Sequence, residues 1–433
     1  MKTEYELLTA PYMKDLMDNL KKFVAIDSVR DPETMDENNP CGKGVTEALK
    51  FFEELAKKDG FEVTNYKNKI VEANIGSGEK NITIMAHADV VPEGTGWDQD
   101  PFEVVEKDGV LTGRGVADDK GPLLACYYAL KALKDNGKLG DYQVRFLVGG
   151  AEETTSEGMM HYFYELKKKQ PTLGFSPDSS FPLIFAEKGI FGFVVTDSFK
   201  MDNVYSIKGG VASNSVIEKC VVEMAKDEKF VSYVSDLYGK DVEASEVDGK
   251  CVITFTGVAA HGSIPWFGKN AAMMAIKALG DFYDQPNLKL FAEKYSGTRG
   301  EGIKADMHND EMYDNSLNLG LFSYENGELK ATINFRFINS TTFEEIKGII
   351  EENSKPFKTT FGGCSPLLYF PKDSALVSTL LKAYIDETGD VDAVPLSTGG
   401  GTYAKEADNV VAFGMEFEGW DAKMHSAGEQ IKI

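Results

Sequence analysis

Histidines and acidic residues recur in five short segments that run from the first quarter of the chain to its last residues. The segments are MAHADVVPEGTGW from Met85, GRGVADDKGP from Gly113, GGAEETTSEG from Gly149, FSPDSSFP from Phe175 and KMHSAGEQI from Lys423. The chain has only five histidines, and His87 and His425 lie in the first and last segments. Imidazole nitrogens and carboxylate oxygens bind divalent ions, and two ions about 3.5–4 Å apart need a carboxylate that both share. The pattern indicates the ligand set of a two-metal hydrolase.

The first two segments each have a chemical and a simpler structural explanation. On an extended strand end, His87 and Asp89 project to the same side, so the Asp89 carboxylate can orient the imidazole ring of His87. A single His-Asp pair, taken by itself, is also a common structural contact. Asp118 and Asp119 place two carboxylates together, which is costly without a nearby cation. The same acidic pair would also suit the N-terminus of a helix.

The third segment is more informative, because Glu152 and Glu153 follow a predicted buried strand. Consecutive residues that leave a strand point in different directions, so the two carboxylates can serve different roles. One would hold a metal ion while the other would handle protons.

The elements around these segments predict a sheet with helices on its faces. Helical periodicity is clear at 11–26 and 45–58, the second ending before Gly60. Short apolar runs at 81–86 and 142–148 predict strands, and a helix at 121–136 lies between them. Strand, helix and strand in this order favour a mostly parallel sheet, in which ligands bind beyond the carboxyl ends of the strands.

The pattern changes at about residue 189, where a second domain is predicted. Alternating or apolar runs at 192–196, 251–255 and 329–336 indicate antiparallel strands, and amphipathic helices are predicted at 271–283 and 342–353. We therefore expect an α/β catalytic domain interrupted by an inserted α+β lid domain.

The catalytic sheet resumes after the insert, with a helix at 373–388 and a strand at 410–414 that precedes His425. The predicted division of the chain is 1–188 for the first part of the catalytic domain, 189–368 for the insert and 369–433 for the second part.

Composition excludes several classes of partner. The 433 residues carry a formal net charge of -23, which repels phosphate backbones and anionic lipid surfaces, so neither nucleic acid nor membrane is an expected partner. The start of the chain lacks the apolar core of a signal peptide. Five cysteines without CxxC spacing fit reduced thiols, and we expect a cytoplasmic protein.

The five segments, in this order, resemble the dinuclear metallopeptidase family that contains carnosinases, aminoacylases and glutamate carboxypeptidases. The similarity extends over nearly the whole chain and is greatest to bacterial Xaa-Xaa dipeptidases. It implies five metal ligands: His87, Asp118, Glu153, Asp178 and His425. Asp118 would bridge the two ions, with His87 and Asp178 completing one site and Glu153 and His425 the other.

The resemblance also implies roles for residues that hold no metal. Glu152 would be the general base, and Asp89 would orient a metal ligand without binding metal itself. The peptide bond between Asp118 and Asp119 would be cis. Two further histidines, His161 and His308, match no segment and are expected to be structural or exposed.

Substrate-binding roles in the insert also follow from the resemblance. His261, in a predicted turn between a strand and a helix, would donate to the oxyanion of a tetrahedral intermediate, although a histidine there can also pack locally. Arg336 would bind the substrate carboxylate or close a surface salt bridge. Asn214 would contact substrate. Gly400 and Gly401 would bring backbone amides against substrate or form a plain tight turn.

The leading hypothesis is a metal-dependent dipeptidase that acts on small unblocked peptides with two divalent ions. Zn²⁺ is the first choice, with Mn²⁺ or Co²⁺ as alternatives. An N-acyl amino acid deacylase or a carboxypeptidase would use the same chemistry. A catalytically silent metal-stabilised binding protein is the alternative from another class, but it would have no need of Glu152. A monomer is favoured over a homodimer because the long insert can do within one chain what a dimer interface does in relatives.

Overall fold

The computed structural model describes residues 3–433, which form two compact units. The first unit contains the chain up to Ala186 together with Phe370–Leu396 and Thr402–Ile433, and the second contains Glu187–Tyr369 and Ser397–Gly401. The sequence-based division leaves 397–401 with the final part of the catalytic domain. The structure groups these residues with the second unit, where Arg336 donates a hydrogen bond to the carbonyl of Gly399.

The first part of the chain alternates helices with strands. Its α-helices are α1 (Glu4–Thr9), α2 (Met13–Val24), α3 (Lys43–Lys58), α4 (Lys120–Asp135) and α5 (Glu157–Met160). Its strands are β1 (Glu62–Tyr66), β2 (Ile70–Ile75), β3 (Lys80–His87), β4 (Val105–Lys107), β5 (Val110–Thr112), β6 (Tyr142–Gly149), β7 (Leu173–Ser176), β8 (Ser179–Ser180) and β9 (Ile184–Glu187). A 3₁₀ turn at Ala10–Tyr12 precedes α2, and a π-helical turn at His161–Glu165 follows α5.

The middle part of the chain is richer in strands. These are β10 (Gly189–Ser198), β11 (Val204–Gly209), β12 (Lys219–Met224), β13 (Val242–Val247), β14 (Lys250–Thr256), β15 (His308–Asn309), β16 (Tyr313–Asp314), β17 (Ser316–Glu325), β18 (Glu328–Phe337), β19 (Lys358–Ser365) and β20 (Leu368–Tyr369). Its α-helices are α6 (Glu228–Tyr238), α7 (Ala271–Phe282), α8 (Pro286–Tyr295) and α9 (Phe343–Ser354). Short 3₁₀ turns lie at Gly239–Asp241, Pro265–Phe267 and Glu301–Ile303.

The final part contains one long helix and four short strands: α10 (Ala375–Thr388), β21 (Leu396–Thr398), β22 (Val410–Ala412), β23 (Met415–Glu416) and β24 (Gln430–Lys432). A 3₁₀ turn lies at Tyr403–Glu406. Within residues 3–433, no helix combines the length and the apolar character that a membrane crossing requires.

Helix α3 forms for the reasons that its sequence suggests. Val45, Leu49, Phe52 and Ala56 recur at helical spacing and are fully buried in the core of the first unit. The helix ends before Gly60, whose φ of 81° lies in the left-handed region that glycine adopts without steric cost. The predicted end of this helix is confirmed.

The main sheet of the first unit has its strands in the order β1-β2-β6-β3-β7-β22-β9. The four central strands, β6, β3, β7 and β22, are parallel to one another. Strands β1, β2 and β9 pair antiparallel. The reason at one edge is that a hairpin of only three residues joins β1 to β2, and such a short link can join only antiparallel strands. The predicted parallel arrangement therefore applies to the centre of a mixed sheet.

Strand order in the centre of this sheet determines which loops lie together. His87 at the end of β3 is in register with Gly149 at the end of β6. The backbone N–H of Ala88 donates to the carbonyl of Gly149 at 2.9 Å. The loops that follow β3 and β6 therefore begin side by side, as expected for the carboxyl ends of adjacent parallel strands.

The second unit is built on an antiparallel sheet of eight strands, in the order β13-β14-β12-β11-β17-β18-β10-β19. Alternate residues of β10 are buried, among them Phe191, Phe193 and Val195. These side chains belong to a core that also includes the buried face of α7. The predicted α+β character of the insert is confirmed.

Candidate metal centre

The carboxylate of Asp118 lies between two histidine side chains. Its Oδ1 is 2.9 Å from Nε2 of His87, and its Oδ2 is 2.9 Å from Nε2 of His425. Each carboxylate oxygen therefore has its own imidazole partner. A carboxylate that two metal ions share offers its oxygens in the same way, one to each side.

Three separate elements bring these residues together. His87 is the fully buried last residue of β3, and Asp118 lies in the turn that leads into α4. The peptide bond between Asp118 and Asp119 is cis, as the family resemblance implies. His425 lies between β23 and β24, with a positive φ of 60°.

Each histidine also has a second carboxylate nearby. Oδ2 of Asp178 is 3.7 Å from Nε2 of His87, and Oε2 of Glu153 is 3.1 Å from Nε2 of His425. Two sets of residues could each hold an ion, because their ligand atoms lie within 4.8 Å of one another: His87, Asp118 and Glu153, and His87, Glu152 and Asp178. The second set includes Glu152, which the resemblance assigns to proton transfer, so this carboxylate lies next to the ligands.

The imidazole of His87 has one defined tautomer available for metal binding. Its Nδ1 is 2.9 Å from the backbone carbonyl of Asp89, which can only accept a hydrogen bond. Nδ1 therefore carries the proton, and the lone pair of Nε2 can be offered to a metal.

The Asp89 carboxylate lies near the His87 ring and also has backbone partners of its own. Its Oδ1 is 3.5 Å from Nδ1 of His87, a longer distance than that to the backbone carbonyl of Asp89. The two carboxylate oxygens also accept the backbone N–H groups of Glu152 at 3.1 Å and of Glu153 at 3.2 Å. Asp89 thus holds the turn that carries both glutamates, while its backbone orients the histidine.

The charges of the cluster favour cations. Burial raises the pKa of Asp178 and of Glu152 well above the usual values, and neighbouring carboxylates raise both further. Burial and the charge of Asp118 raise the pKa of Glu153 to about 7. Burial also opposes ionisation of Asp118, but hydrogen bonds from His425 and His87 outweigh it and lower its pKa. Hydrogen bonds to Asp118 and Glu153 raise the pKa of His425 to about 11.

This donor set fits divalent metal ions. It combines imidazole nitrogens with carboxylate oxygens, a mixture that suits Zn²⁺ and also Mn²⁺ or Co²⁺. Several carboxylates lie close together here, with Asp118 buried and Glu152, Glu153 and Asp178 partly buried. Divalent cations would supply the missing positive charge.

The residues predicted to bind substrate all lie in the second unit. His261 is exposed, and its Nδ1 is 2.7 Å from Oγ of Ser263. The carbonyl of Asn214 accepts the N–H of Gly262 at 2.6 Å, so the Asn214 loop and the His261 loop are joined. Arg336 is buried, and its Nε donates to Oδ1 of Asn334 at 3.1 Å.

The glycine segment lies close to two of these residues. A side chain at Gly399 would lie 2.6 Å from Cβ of Ser263, and the carbonyl of Gly399 accepts a hydrogen bond from Arg336. The N–H of Gly400 donates to Oγ1 of Thr398 at 3.1 Å, and Gly401 is exposed. The structure brings Arg336 of β18, the loop of His261 and the glycine segment together within one unit, and their roles stay predictions.

Sequence reasoning named Asp119 only as the neighbour of Asp118 and gave no role to two other buried residues near the metal centre, Tyr403 and Glu429. Asp119 accepts the backbone N–H of His87 at 3.1 Å, and the Tyr403 ring packs edge-on against the His87 ring with centroids 6.2 Å apart. Glu429 accepts hydrogen bonds from the loop that carries Asp118. Glu429 left a signal in the sequence, as an acidic residue in the same short segment as His425. His161 and His308 lie elsewhere, in ion pairs with Glu165 and Asp314.

A sheet with parallel central strands, a shared carboxylate between two histidines and an adjacent glutamate define a metal-dependent hydrolase. Residues 83–433 match the model of Peptidase family M20/M25/M40. The chain is 33% identical over 439 residues to a Beta-Ala-Xaa dipeptidase of Lactobacillus delbrueckii subsp. lactis, covering 96% of this chain and 92% of that protein.

Solved structures show the same fold at low sequence identity. The dipeptidase Dug1p of Saccharomyces cerevisiae aligns with a TM-score of 0.59 at 15% identity, covering 99% of this chain and 94% of the other. Human carnosine dipeptidase 1 aligns with a TM-score of 0.58 at 15% identity, covering 99% and 95%. The chain belongs to peptidase family M20/M25/M40, and it is a peptidase of the hydrolase class.

Proposed function

We propose that the protein is a dipeptidase that hydrolyses small unblocked peptides with the help of two divalent metal ions. The observation that carries the proposal is the Asp118 carboxylate between His87 and His425, with Glu152 beside the ligands. The similarity over 92% of the length of a Beta-Ala-Xaa dipeptidase supports a dipeptide substrate.

His87 and Asp178 would hold one ion and Glu153 and His425 the other, with Asp118 shared. Zn²⁺ is the first choice because of the two histidine ligands, and Mn²⁺ or Co²⁺ are the alternatives. When bound, the ions would polarise the scissile carbonyl and lower the pKa of the attacking water.

Glu152 would receive a proton from the attacking water and pass it to the leaving amine. Burial and the charge of Glu153 raise the pKa of Glu152, the direction that a carboxyl needs to take up a proton near neutral pH. Asp89 would keep Glu152 in place, because it accepts the backbone N–H of that residue. His261 would donate to the oxyanion, and Arg336 would bind the substrate carboxylate.

A metal-add-back assay tests the function. Protein stripped with EDTA should be inactive, and Zn²⁺, Mn²⁺ or Co²⁺ should restore hydrolysis of unblocked dipeptides, including β-alanyl dipeptides. Preferential hydrolysis of N-acetyl amino acids would instead identify a deacylase, and release of the last residue from tripeptides a carboxypeptidase. Activity that survives full metal removal would refute the metal-dependent mechanism.

Substitution of Glu152 tests the mechanism separately. Glu152→Gln should retain the bound metal and lower kcat by about a hundred- to ten-thousand-fold, the usual contribution of a general base. Glu165→Gln is the matched control. The described hydrogen bond of the Glu165 side chain is with His161, and Glu165 lies outside the ligand set. Wild-type turnover in Glu152→Gln would remove Glu152 from the role of general base, whereas wild-type protein that binds metal but hydrolyses no peptide would favour the binding-protein alternative.

We also infer a monomer in the cytoplasm. Four of the five cysteines, Cys41, Cys126, Cys220 and Cys251, form no disulfide bond, which fits a reducing compartment. Light scattering after size exclusion gives the oligomeric state directly, and a dimer mass would overturn the first half of this inference. Cell fractionation tests the second half.

A further inference from the structure

Glu429 is a fully buried carboxylate whose hydrogen bonds converge on the loop before Asp118. Its Oε1 accepts the backbone N–H groups of Gly115 at 2.9 Å, Ala117 at 2.9 Å and Asp118 at 3.0 Å. Its Oε2 accepts from Nη1 of Arg114 at 2.7 Å. No part of the Glu429 side chain is exposed. One side chain therefore binds almost every residue of this loop.

The loop has the backbone conformation that such convergence needs. Gly115 has a φ of 89°, a value that L side chains rarely adopt, and a Cβ there would lie 3.1 Å from side-chain atoms of Lys120 and Val90. The carbonyl of Glu429 also accepts the N–H of Gly113 at 3.0 Å. The loop thus wraps around Glu429 through both its backbone and its carboxylate.

Arg114 connects this arrangement to the segment that follows His87. Its Nη2 donates to the carbonyls of Pro92 at 3.3 Å and Glu93 at 3.2 Å. Its guanidinium lies over the ring of Trp97 at 5.4 Å. The ion pair of Glu429 with Arg114 is therefore held in place on both sides.

We propose that Glu429 is a positioning residue of the metal centre, which sets the location of Asp118 and ties the loop of His425 to it. This inference rests on the proposed metal site and adds a residue to it. Among the hydrogen bonds of residues 3–433, Glu429 reaches the ligand set only through the backbone N–H of Asp118. His425 lies four residues before Glu429, so the same anchor limits the position of both partners.

The physical reason is that Asp118 must face two ligand groups at once. Its two oxygens are each 2.9 Å from a histidine nitrogen, so a shift of its backbone by about 1 Å would lengthen at least one of these distances beyond useful range. Glu429→Gln keeps the shape of the side chain. It replaces one carboxylate oxygen by an NH₂ group. That group would face either Arg114 or the three backbone N–H groups, and because these are all donors, the hydrogen bonds on that side would be lost.

Titration of metal-stripped protein with Co²⁺ tests the proposal, with calorimetry for affinity and visible absorption for ligand geometry. We expect wild type to bind two ions. Glu429→Gln should bind at least one of them about ten- to a hundred-fold more weakly, with an altered Co²⁺ spectrum. Glu72→Gln is the matched control, since Glu72 is a buried carboxylate of β2 that accepts from Tyr66 at 2.7 Å and Asn74 at 2.6 Å.

The outcomes separate the two proposals. Wild-type protein that binds no Co²⁺ would overturn the proposed function. Wild type that binds two ions, with Glu429→Gln identical to it in affinity and spectrum, would overturn only the role of Glu429. If Glu429→Gln does not fold, Glu429→Asp takes its place, because it keeps the charge but withdraws it by one methylene. Its Co²⁺ affinity should lie below that of wild type, and equal affinity would overturn the role.

Discussion

Asp89→Asn distinguishes two ways in which this buried carboxylate can act. Its two oxygens accept separate backbone N–H groups, from Glu152 at 3.1 Å and from Glu153 at 3.2 Å. The imidazole of His87 is held by the backbone carbonyl of Asp89, which the substitution leaves intact. Asparagine has one acceptor oxygen on its side chain, so one of the two glutamates must lose its partner.

The loss of one acceptor oxygen determines how much stability the substitution removes. A buried N–H without an acceptor costs about 1–3 kcal/mol of the free energy of unfolding. For a unit of this size that corresponds to a decrease in Tm of roughly 2–4 °C per kcal/mol. The turn that carries Glu152 would also be less well fixed. Since about 1.4 kcal/mol is a factor of ten in rate, we expect kcat to fall about ten- to a hundred-fold while both metal ions stay bound.

The assay combines metal analysis, thermal unfolding and dipeptide kinetics. Asp59→Asn is the matched control, because Asp59 accepts from the Tyr127 hydroxyl at 2.7 Å within the same unit and touches no ligand. If Asp89→Asn loses metal but keeps its kcat once metal is in excess, the carboxylate acts through His87 rather than through the glutamate turn. That result would refute the reasoning from the hydrogen bonds.

Three further predictions concern binding and rate. Metal affinity should rise with pH, because contacts with Asp118 and Glu153 raise the pKa of His425 to about 11 and the ion needs the neutral imidazole. Calorimetry should detect proton release, and a pH-independent affinity would contradict this. His261→Gln should lower kcat by about a hundred- to a thousand-fold at unchanged metal content, and an effect on KM alone would exclude the oxyanion role. Arg336→Lys should raise KM for dipeptides about tenfold, and an unchanged KM would place the substrate carboxylate elsewhere.

The sequence was sufficient for two of the strands that end at the candidate site, but it did not predict β7, which precedes Asp178. Apolar runs ending in polar residues predict strands whose ends meet, and β3 and β6 are indeed adjacent and parallel. The order of strands along the sheet was not accessible, because β22 from the last part of the chain pairs with β7 near its centre. The three apolar residues of β22 do not indicate which strand they will pair with.

The candidate site shows the same limit. Side chains such as His87 and Asp118 can be recognised in the sequence by residue type and spacing. The support behind them depends on backbone N–H groups, which every residue except proline has, so their partners cannot be read from residue type. The acceptor role of Asp89 toward Glu152 and the three N–H groups gathered by Glu429 arise only when distant segments meet.

The divided first unit has a consequence for how the protein is made. The ribosome delivers Glu187–Tyr369 as one uninterrupted stretch before it delivers β22, His425 and Glu429. The nascent chain can therefore build most of the antiparallel domain early, whereas the other domain must wait, with a gap between β7 and β9. The proposed ligand His425 and the buried Glu429 are synthesised after the whole second unit, so the proposed metal centre would form only once that unit has left the ribosome.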